Sequence, residues 1–367
     1  MYISQVQLRD FRNIEVWNLE PHKALTVLVG PNAAGKTNTI EAIQVICTGE
    51  SFRRPRWIDL VRWDALSAQI SMHIEGEVSP VDISLTIDAE GQRGWRVGGV
   101  KKRRVSDATR FVPTVVFTPD DLGMVKGPAE HRRVSLDSLG EQLSVVYGSL
   151  RRDYARVVRQ RNSLLRDGAP RAALEPWDVQ LISLGSRLYT HRRRLLRKLA
   201  TQMRPLYDNL SGGEVFGVEL VDRCGVGLPC IDEEVDQQTV ITRFSDYLAT
   251  RISDEVDRGV TLAGPHRDDV LFTINGKDAR SFASQGQQRT IALAWKLAEV
   301  GVVTAVLSKT PVLLLDDVMS ELDGIRRAAL TDLIQRDIQT FVTTTNTNYF
   351  DKTLLSSAFV VPVGVGS

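Results

Sequence analysis

Apolar positions along the chain fall into three kinds of pattern, and each predicts a different element. Short continuous runs at Ala24–Val29 and Val312–Leu315 suit strands buried on both faces. Helical spacing recurs at Ile40, Ala42, Ile43 and Ile46, and again at Ile291, Leu293, Ala294, Leu297, Ala298 and Val300. Two longer stripes occupy the middle. One runs through Leu143, Val146, Tyr147, Leu150, Tyr154, Val157, Val158, Leu164 and Leu165, the other through Leu181, Leu184, Leu188, Leu195 and Leu199. The loop "DGAPRAALEP" separates them, so the spacing predicts a helical hairpin, an abbreviated coiled-coil arm. Alternating positions near 67–105 predict short strands, and "EVFGVELV" reads as one more strand.

Composition narrows the class. A chain of 367 residues can bury a large core. Its net charge of +1 confines any nucleic-acid surface to a local patch. Three cysteines without metal-ligand spacing suit a reducing compartment. The N-terminus lacks the basic and apolar regions of a signal peptide, and no apolar run is expected to reach membrane-spanning length. A cytoplasmic protein is expected.

Two segments carry chemistry. Gly30-Pro31-Asn32-Ala33-Ala34-Gly35-Lys36-Thr37 fits G-x-x-x-x-G-K-[ST], between a predicted strand and a predicted helix. Its backbone N–H groups and helix N-terminus would cradle phosphates. Lys36 would reach the β- and γ-phosphates and Thr37 would ligate Mg²⁺, so ATP and Mg²⁺ are the expected cofactors. The apolar run Val312–Leu315 ends in Asp316-Asp317. Asp316 would hold Mg²⁺ and Asp317 would polarise the attacking water, with Ser320-Glu321-Leu322-Asp323 following as the loop that touches a partner subunit in ABC heads.

Two serine–glycine stretches compete for the signature of an ABC-type ATPase. Leu210-Ser211-Gly212-Gly213 is nearly that signature, but a strand follows it and Asp316 lies about a hundred residues on; it reads as a helix-to-strand turn. Ser284-Gln285-Gly286-Gln287 opens an amphipathic helix that leads directly to Asp316, and Ser284 stands at its N-cap. In a head-to-tail dimer this serine would meet the γ-phosphate held by the other subunit.

Together with "LRDFRN", "SFR", "FTPDDL", "RRVSLD", "QRNSLLR", "GPHRDD", "SQGQQRT" and "LLLDDVMSELD", these segments resemble the RecF family of bacterial DNA-repair ATPases, relatives of the SMC proteins, over nearly the whole chain. The resemblance implies an α/β P-loop ABC-type ATPase head built from both chain ends, 1–122 and 258–367. A small β lid is expected near 67–105, with a helical arm inserted at 123–257. It puts Arg12 and Asn13 beside the nucleotide, and "FTPDDL" where Asp120 or Asp121 senses the metal or simply caps a turn. The histidine expected after the last head strand is missing, which leaves Thr345 or Asn346 for its role. No role suggests itself for "GPHRDD" beyond a turn. Basic runs at Lys101, Lys102, Arg103 and Arg104, and at Arg151, Arg152, Arg156, Arg192 and Arg193, are either solvated faces or DNA phosphate contacts without base reading.

The implied function is an ATP-dependent clamp in DNA replication and in recombinational repair within the SOS response. ATP would drive a homodimer on double-stranded DNA at gaps or single-/double-strand junctions, slow DNA-stimulated hydrolysis would release it, and with RecR it would help load RecA. The expected location is the cytoplasm, at the nucleoid, away from membranes. The alternatives are a non-hydrolysing ATP-switched clamp and a monomeric P-loop enzyme such as a small-molecule kinase.

Overall fold

The computed structural model describes the chain except residues 77–78, 104, 106, 108–110, 229–230 and 365–367. It divides into two compact units, Met1–Leu122 with Glu299–Ser367, and Gly123–Ala298.

The first unit holds two sheets. Strands β1 (Tyr2–Phe11), β2 (Ile14–Leu19), β4 (Ser67–Glu75), β5 (Val81–Asp88), β6 (Arg93–Val97) and β7 (Val100–Lys102) form an antiparallel sheet in the order β2-β1-β4-β5-β6-β7. Where a small β lid is expected, near 67–105, β4 pairs with β1 from Tyr2↔Glu75 to Arg9↔Gln69, so these strands continue the N-terminal sheet. Strands β3 (Leu25–Val29), β8 (Thr114–Phe117), β12 (Val312–Asp316), β13 (Thr340–Thr344) and β14 (Phe359–Pro362) form a parallel sheet in the order β14-β3-β13-β12-β8. Helix α1 (Lys36–Thr48) follows β3, and its Ile40, Ala42, Ile43, Val45 and Ile46 are buried in the core shared with both sheets. One-turn helix α2 (Pro119–Leu122) ends this part of the chain.

The two chain ends are joined by a buried amide. Gln339 Oε1 accepts the N–H of Ile3 at 2.7 Å, while its Nε2 donates to the Ile3 carbonyl at 2.7 Å and to that of His22 at 3.1 Å. A side chain before β13 thereby completes backbone hydrogen bonds that β1 leaves unpaired.

The second unit is mainly helical: α3 (Ala129–Leu143), α4 (Val145–Arg166), α5 (Arg171–Ser211), α6 (Gln237–Arg258), the one-turn α7 (Ala279–Phe282) and the start of α8 (Gln285–Leu307). Strands β9 (Phe216–Val221), β10 (Asp269–Ile274) and β11 (Lys277–Asp278) form a small antiparallel sheet. The remaining helices, α9 (Gly324–Ile334) and α10 (Lys352–Ser356), belong to the first unit. The return from the helical unit falls at Glu299, not at 258, because β10 pairs with β9 from Asp269↔Val221 to Ile274↔Phe216.

Three expectations for the middle change. The loop between α4 and α5 is only 167–170, and Pro176 lies inside α5, as does Pro205. The hairpin is also not two-stranded. α6 packs on it so closely that a Cβ built on Gly185 of α5 would stand 2.6 Å from the Phe244 ring of α6 and 3.0 Å from that of Tyr154 of α4. Finally, α8 is long and apolar enough to cross a membrane by length and composition, contrary to expectation. Its Ile291, Ala292, Leu293, Ala294 and Trp295 are fully buried within the protein, as in the central helix of a globular core.

The stretch 209–220 behaves as its pattern predicts. α5 ends at Ser211, Gly212 caps it at φ 72°, Gly213 continues at φ 104°, and β9 begins at Phe216.

Candidate nucleotide site

Register decides what gathers at the carboxyl edge of the parallel sheet. Asp316 lies opposite Thr343, Thr343 opposite Leu28, and Thr344 opposite Val29, the residue before the loop. The ends of β12, β13 and β3 therefore meet, and ligand sites of open α/β sheets form at such edges.

Loop 30–37 leaves β3 and enters α1 at Lys36. Ala33 (φ 65°) and Gly35 (φ 102°) are left-handed, which turns backbone N–H groups to one side in the manner of an anion nest. Gly30 has no room for a side chain: a Cβ there would stand 2.1 Å from the Val363 carbonyl oxygen. Lys36 Nζ donates to the Gly30 and Pro31 carbonyls at 2.7 and 2.8 Å, so the ammonium is held across the loop mouth. Burial lowers its pKa, against the opposing pull of Asp317 and Asp316.

The acidic pair splits into two environments. Asp316 is buried, and its Oδ1 accepts the hydroxyls of Thr37 and Thr343, each at 2.8 Å. Asp317 takes the left-handed region at φ 52° and donates its N–H to Thr343 Oγ1 at 3.0 Å. Its Oδ1 is buried and has no hydrogen-bond partner among the described residues. Desolvation, with the Asp316 charge beside it, raises its pKa. An orphaned carboxylate oxygen within electrostatic reach of a lysine is the arrangement of a site that binds something more. The Thr37 hydroxyl and Asp316 carboxylate are hard oxygen ligands of the kind Mg²⁺ takes, and both fit it here.

Arg12 and Asn13 stand at the loop's flank, each held by other contacts. Arg12 (φ 56°) forms a bidentate pair with Glu41, at 2.7 and 3.0 Å, and donates to the Asp59 carbonyl at 3.1 Å. Asn13 Nδ2 donates to the Ala33 carbonyl at 2.9 Å, and its Oδ1 accepts Asn38 Nδ2 at 2.7 Å. Asn13 therefore braces the loop. Asp121 accepts the Thr118 N–H and hydroxyl at 2.8 and 3.0 Å, a turn cap. After β13, Thr344 Oγ1 donates to the Asn346 carbonyl at 2.7 Å, closing a tight turn through Thr345.

Ser284 belongs to the helical unit, at the N-terminus of α8. Its hydroxyl accepts the Gln287 N–H at 3.2 Å and its own N–H donates to Gln287 Oε1 at 2.8 Å, a reciprocal capping box. Gln285 and Gly286 form the first turn between them.

Two of the expected DNA contacts are corrected. Arg192 and Arg193 are only 3% and 4% exposed. Arg192 forms a bidentate pair with Asp137 at 2.8 and 2.7 Å, and Arg193 donates to the Leu228 and Glu233 carbonyls. Both face the helical core and cannot reach a phosphate backbone. Arg161, on α4, is fully buried between Asp178, Glu255 and Thr261. Lys101, Arg103, Arg152 and Arg156 are exposed, Lys102 is half-buried, and Arg151 is half-buried against Glu141. Arg104 lies outside the described residues.

Sequence reasoning passed over Thr343 and Glu41. Thr343 sits in "TTTN", where only register singles it out. Glu41 is a fully buried acid in the apolar face of α1 that also accepts Ser51 Oγ and Arg53; its signal was the lone charge within "TIEAIQVI". The "GPHRDD" segment, left without a role, enters the buried network of the helical unit. Asp269 pairs bidentately with Arg132, and His266 meets Tyr154 Oη at 2.8 Å through Nδ1.

Comparison with known proteins follows the same outline. The family model of the RecF/RecN/SMC N terminal domain matches residues 2–361. The DNA replication and repair protein RecF of Heliobacterium modesticaldum is 37% identical over all of this chain and 98% of its own length. The solved structure of the recombination mediator protein RecF-ATPrS in the RecFOR pathway superposes with a TM-score of 0.90 at 28% identity, covering 100% of this chain and 98% of that one. An SMC head bound to the C-winged helix domain of ScpA, at 16% identity, TM-score 0.56 and coverage of 99% and 94%, shares the fold alone. The two-sheet α/β unit with its phosphate loop, the inserted helices and the full-length match agree: this chain belongs to the RecF family of DNA replication and repair proteins.

Proposed function

We propose that the chain is an ATP-driven DNA clamp of recombinational repair. The observation that carries this reading is the edge where Thr37, Asp316 and Thr343 share hydrogen bonds beside Asp317, whose Oδ1 has no partner among the described residues. Lys36 and the nest of loop 30–37 would bind the β- and γ-phosphates of ATP. Thr37 and Asp316 would hold Mg²⁺, which when bound screens phosphate charge. The Asp317 carboxylate would take the proton of the water that attacks the γ-phosphorus, as the bond to the bridging oxygen breaks and ADP leaves.

Ser284 would complete the site from a second subunit. Capping uses one of its lone pairs, so its O–H remains a donor for a γ-phosphate. Closed dimers would hold double-stranded DNA at gaps or single-/double-strand junctions, and slow, DNA-stimulated turnover would release them. Exposed Lys101, Arg103, Arg152 and Arg156 are the cations offered to the DNA backbone, without sequence preference. Family membership supports RecR as partner, RecA loading as the task, and the nucleoid in the cytoplasm as the place.

The test is the solution mass of Asp317→Asn by light scattering, with and without ATP and Mg²⁺. Doubling with ATP, lost on adding Ser284→Arg, is expected; a monomer in both conditions, despite ATP binding, would return the chain to a single-site NTPase. Phosphate release by the wild type, abolished in Asp317→Asn, separates this reading from a clamp that never hydrolyses.

A further inference from the structure

We propose that Glu214 is a positioning residue that couples the long arm helix α5 to the Ser284 cap, so that load on the arm reaches the shared nucleotide site. The inference rests on the reading of Ser284 as the serine that meets a second subunit's nucleotide.

Four hydrogen bonds within the helical unit make the link. Tyr207, fully buried near the end of α5, donates its hydroxyl to Glu214 Oε2 at 2.6 Å. Gln287 Nε2 donates to the other oxygen, Oε1, at 2.6 Å. With its amide nitrogen so held, Gln287 presents Oε1 to the Ser284 N–H at 2.8 Å, while its own N–H reaches the Ser284 hydroxyl at 3.2 Å. The amide orientation is therefore dictated by Glu214: flipped, it would set an oxygen against a carboxylate. Charge-assisted bonds of this kind are stronger than neutral ones, so the Glu214 end governs the rotamer.

Both ends of the link are rigid. The Tyr207 ring stacks on Phe216 at 4.5 Å between centroids, tying the end of α5 to the start of β9. Val215, next to Glu214, exchanges hydrogen bonds with Asn275 of the β10–β11 turn at 2.9 and 2.8 Å. Glu214 thus cannot follow α5 freely. A shift of α5 must stretch the Tyr207–Glu214 bond or move the carboxylate under Gln287. α5 is one helix from Arg171 to Ser211 and carries exposed Arg194 and Lys198, so DNA on the arm would load it directly. The stretch "NLSGGEVFGVEL" is not the signature, but its glutamate reaches the side chain that holds the signature's cap.

The experiment measures ATP turnover at saturating ATP, with and without duplex DNA, and the Kd of a fluorescent ATP analogue. The proteins are the full-length wild type, Ser284→Ala, Glu214→Ala, Glu214→Gln and Tyr207→Phe. Ser284→Ala tests the underlying reading: wild-type turnover there sinks that reading, whatever the other variants do. If Ser284→Ala is inactive, Glu214→Ala is expected to lower turnover about tenfold, the order set by one lost charge-assisted hydrogen bond, with the Kd unchanged. Hydrogen exchange of the amides of residues 284–288 should quicken in parallel. Tyr207→Phe should keep basal turnover and lose the response to DNA. Glu214→Gln, which keeps the size but removes the charge from both bonds, decides the matter if Glu214→Ala does not fold: it should fall between wild type and Ser284→Ala. Wild-type turnover in both Glu214 variants overturns the positioning role. A normal DNA response in Tyr207→Phe, or a wild type indifferent to DNA, overturns the coupling to the arm.

Discussion

Asp317 is one methylene shorter than a glutamate would be, and its backbone is unusual. Its left-handed φ, fixed by the N–H bond to Thr343, sets the carboxylate where its Oδ1 finds no partner among the described residues. Because burial raises this pKa, the acid limb of turnover should lie above the usual carboxylate range. A pH–rate profile for wild type checks this, and Asp317→Asn should lose at least ~100-fold in turnover, the usual contribution of a general base, while still binding ATP. Two other buried groups make stability itself pH-dependent. Burial pushes Asp268 from 3.8 up to about 8, and pushes His266 from 6.5 down to about 4. Between the unfolded and folded pKa of Asp268 the folded state binds the extra proton, so its contribution weakens as pH rises from 3.8 to about 8. Between about 4 and 6.5 the unfolded state binds the extra proton at His266, so that contribution strengthens with pH and opposes the first. The two offset each other below 6.5; from there to about 8 Asp268 weakens the fold, together with His73, whose hydrogen bond to Asp82 raises its pKa above 6.5. Denaturation midpoints of wild type should fall across that upper window, and those of Asp268→Asn should fall less; an equal decline in both rules out Asp268 as a cause.

At the scale of elements, the phosphate loop is shaped by a neighbour distant in sequence. Val363 donates its N–H to the Val29 carbonyl at 2.7 Å, which brings its own carbonyl against Gly30. Gly30→Ala must push that backbone away, since the added Cβ would meet carbonyl oxygen and not a movable side chain. A loss of about 1–3 kcal/mol is expected in denaturant unfolding, with weaker ATP binding as β14 shifts. Helix α8 shows the same dependence on context. Its apolar length suits a membrane, and its burial inside the protein decides otherwise. Pro176 and Pro205 lie inside α5, where local propensity argues for a break. Packing against α4 and α6 holds the helix together despite them.

For the whole molecule, the buried Gln339 amide fastens the two ends of the chain into one unit. Gln339→Leu fills the same space but leaves the Ile3 N–H and two carbonyls without partners; a loss of about 3 kcal/mol in denaturant unfolding is expected. The basic residues of the arm divide by burial, and mutation should divide them likewise. Arg192→Ala removes the bidentate partner of buried Asp137, which keeps only the Tyr147 hydroxyl and Arg151, and should cost about 3 kcal/mol of stability. Arg152→Ala and Arg156→Ala should leave the melting temperature unchanged. If these two touch DNA phosphates, each should lower the salt slope of DNA binding by about 1. Equal slopes for wild type and the double variant would remove them from the DNA surface.

The order of apolar residues was enough to determine the strands that flank the site, the helix after the phosphate loop, and the turn at Gly212-Gly213, because each depends on local periodicity and backbone freedom. That Lys36, Thr37, Asp316 and Asp317 gather at one edge was legible for a related reason: each pair stands at or just past the end of a short buried strand, and a strand–loop–helix spacing is short. Tertiary structure alone decided the rest. Thr343 joins the site through strand register, Glu41 holds Arg12 across a sheet–helix contact, and strands 67–102 extend the first sheet because β4 chose β1 as its partner. Which arginines face water depended on what packs over the expected pair, Asp137 of α3 on Arg192, the Leu228 and Glu233 carbonyls on Arg193 and Glu255 of α6 on Arg161, and a run of basic letters has no period that reveals a covering element. Glu214 reaches Gln287 across 73 residues of chain, a contact that only the folded backbone brings within hydrogen-bonding distance.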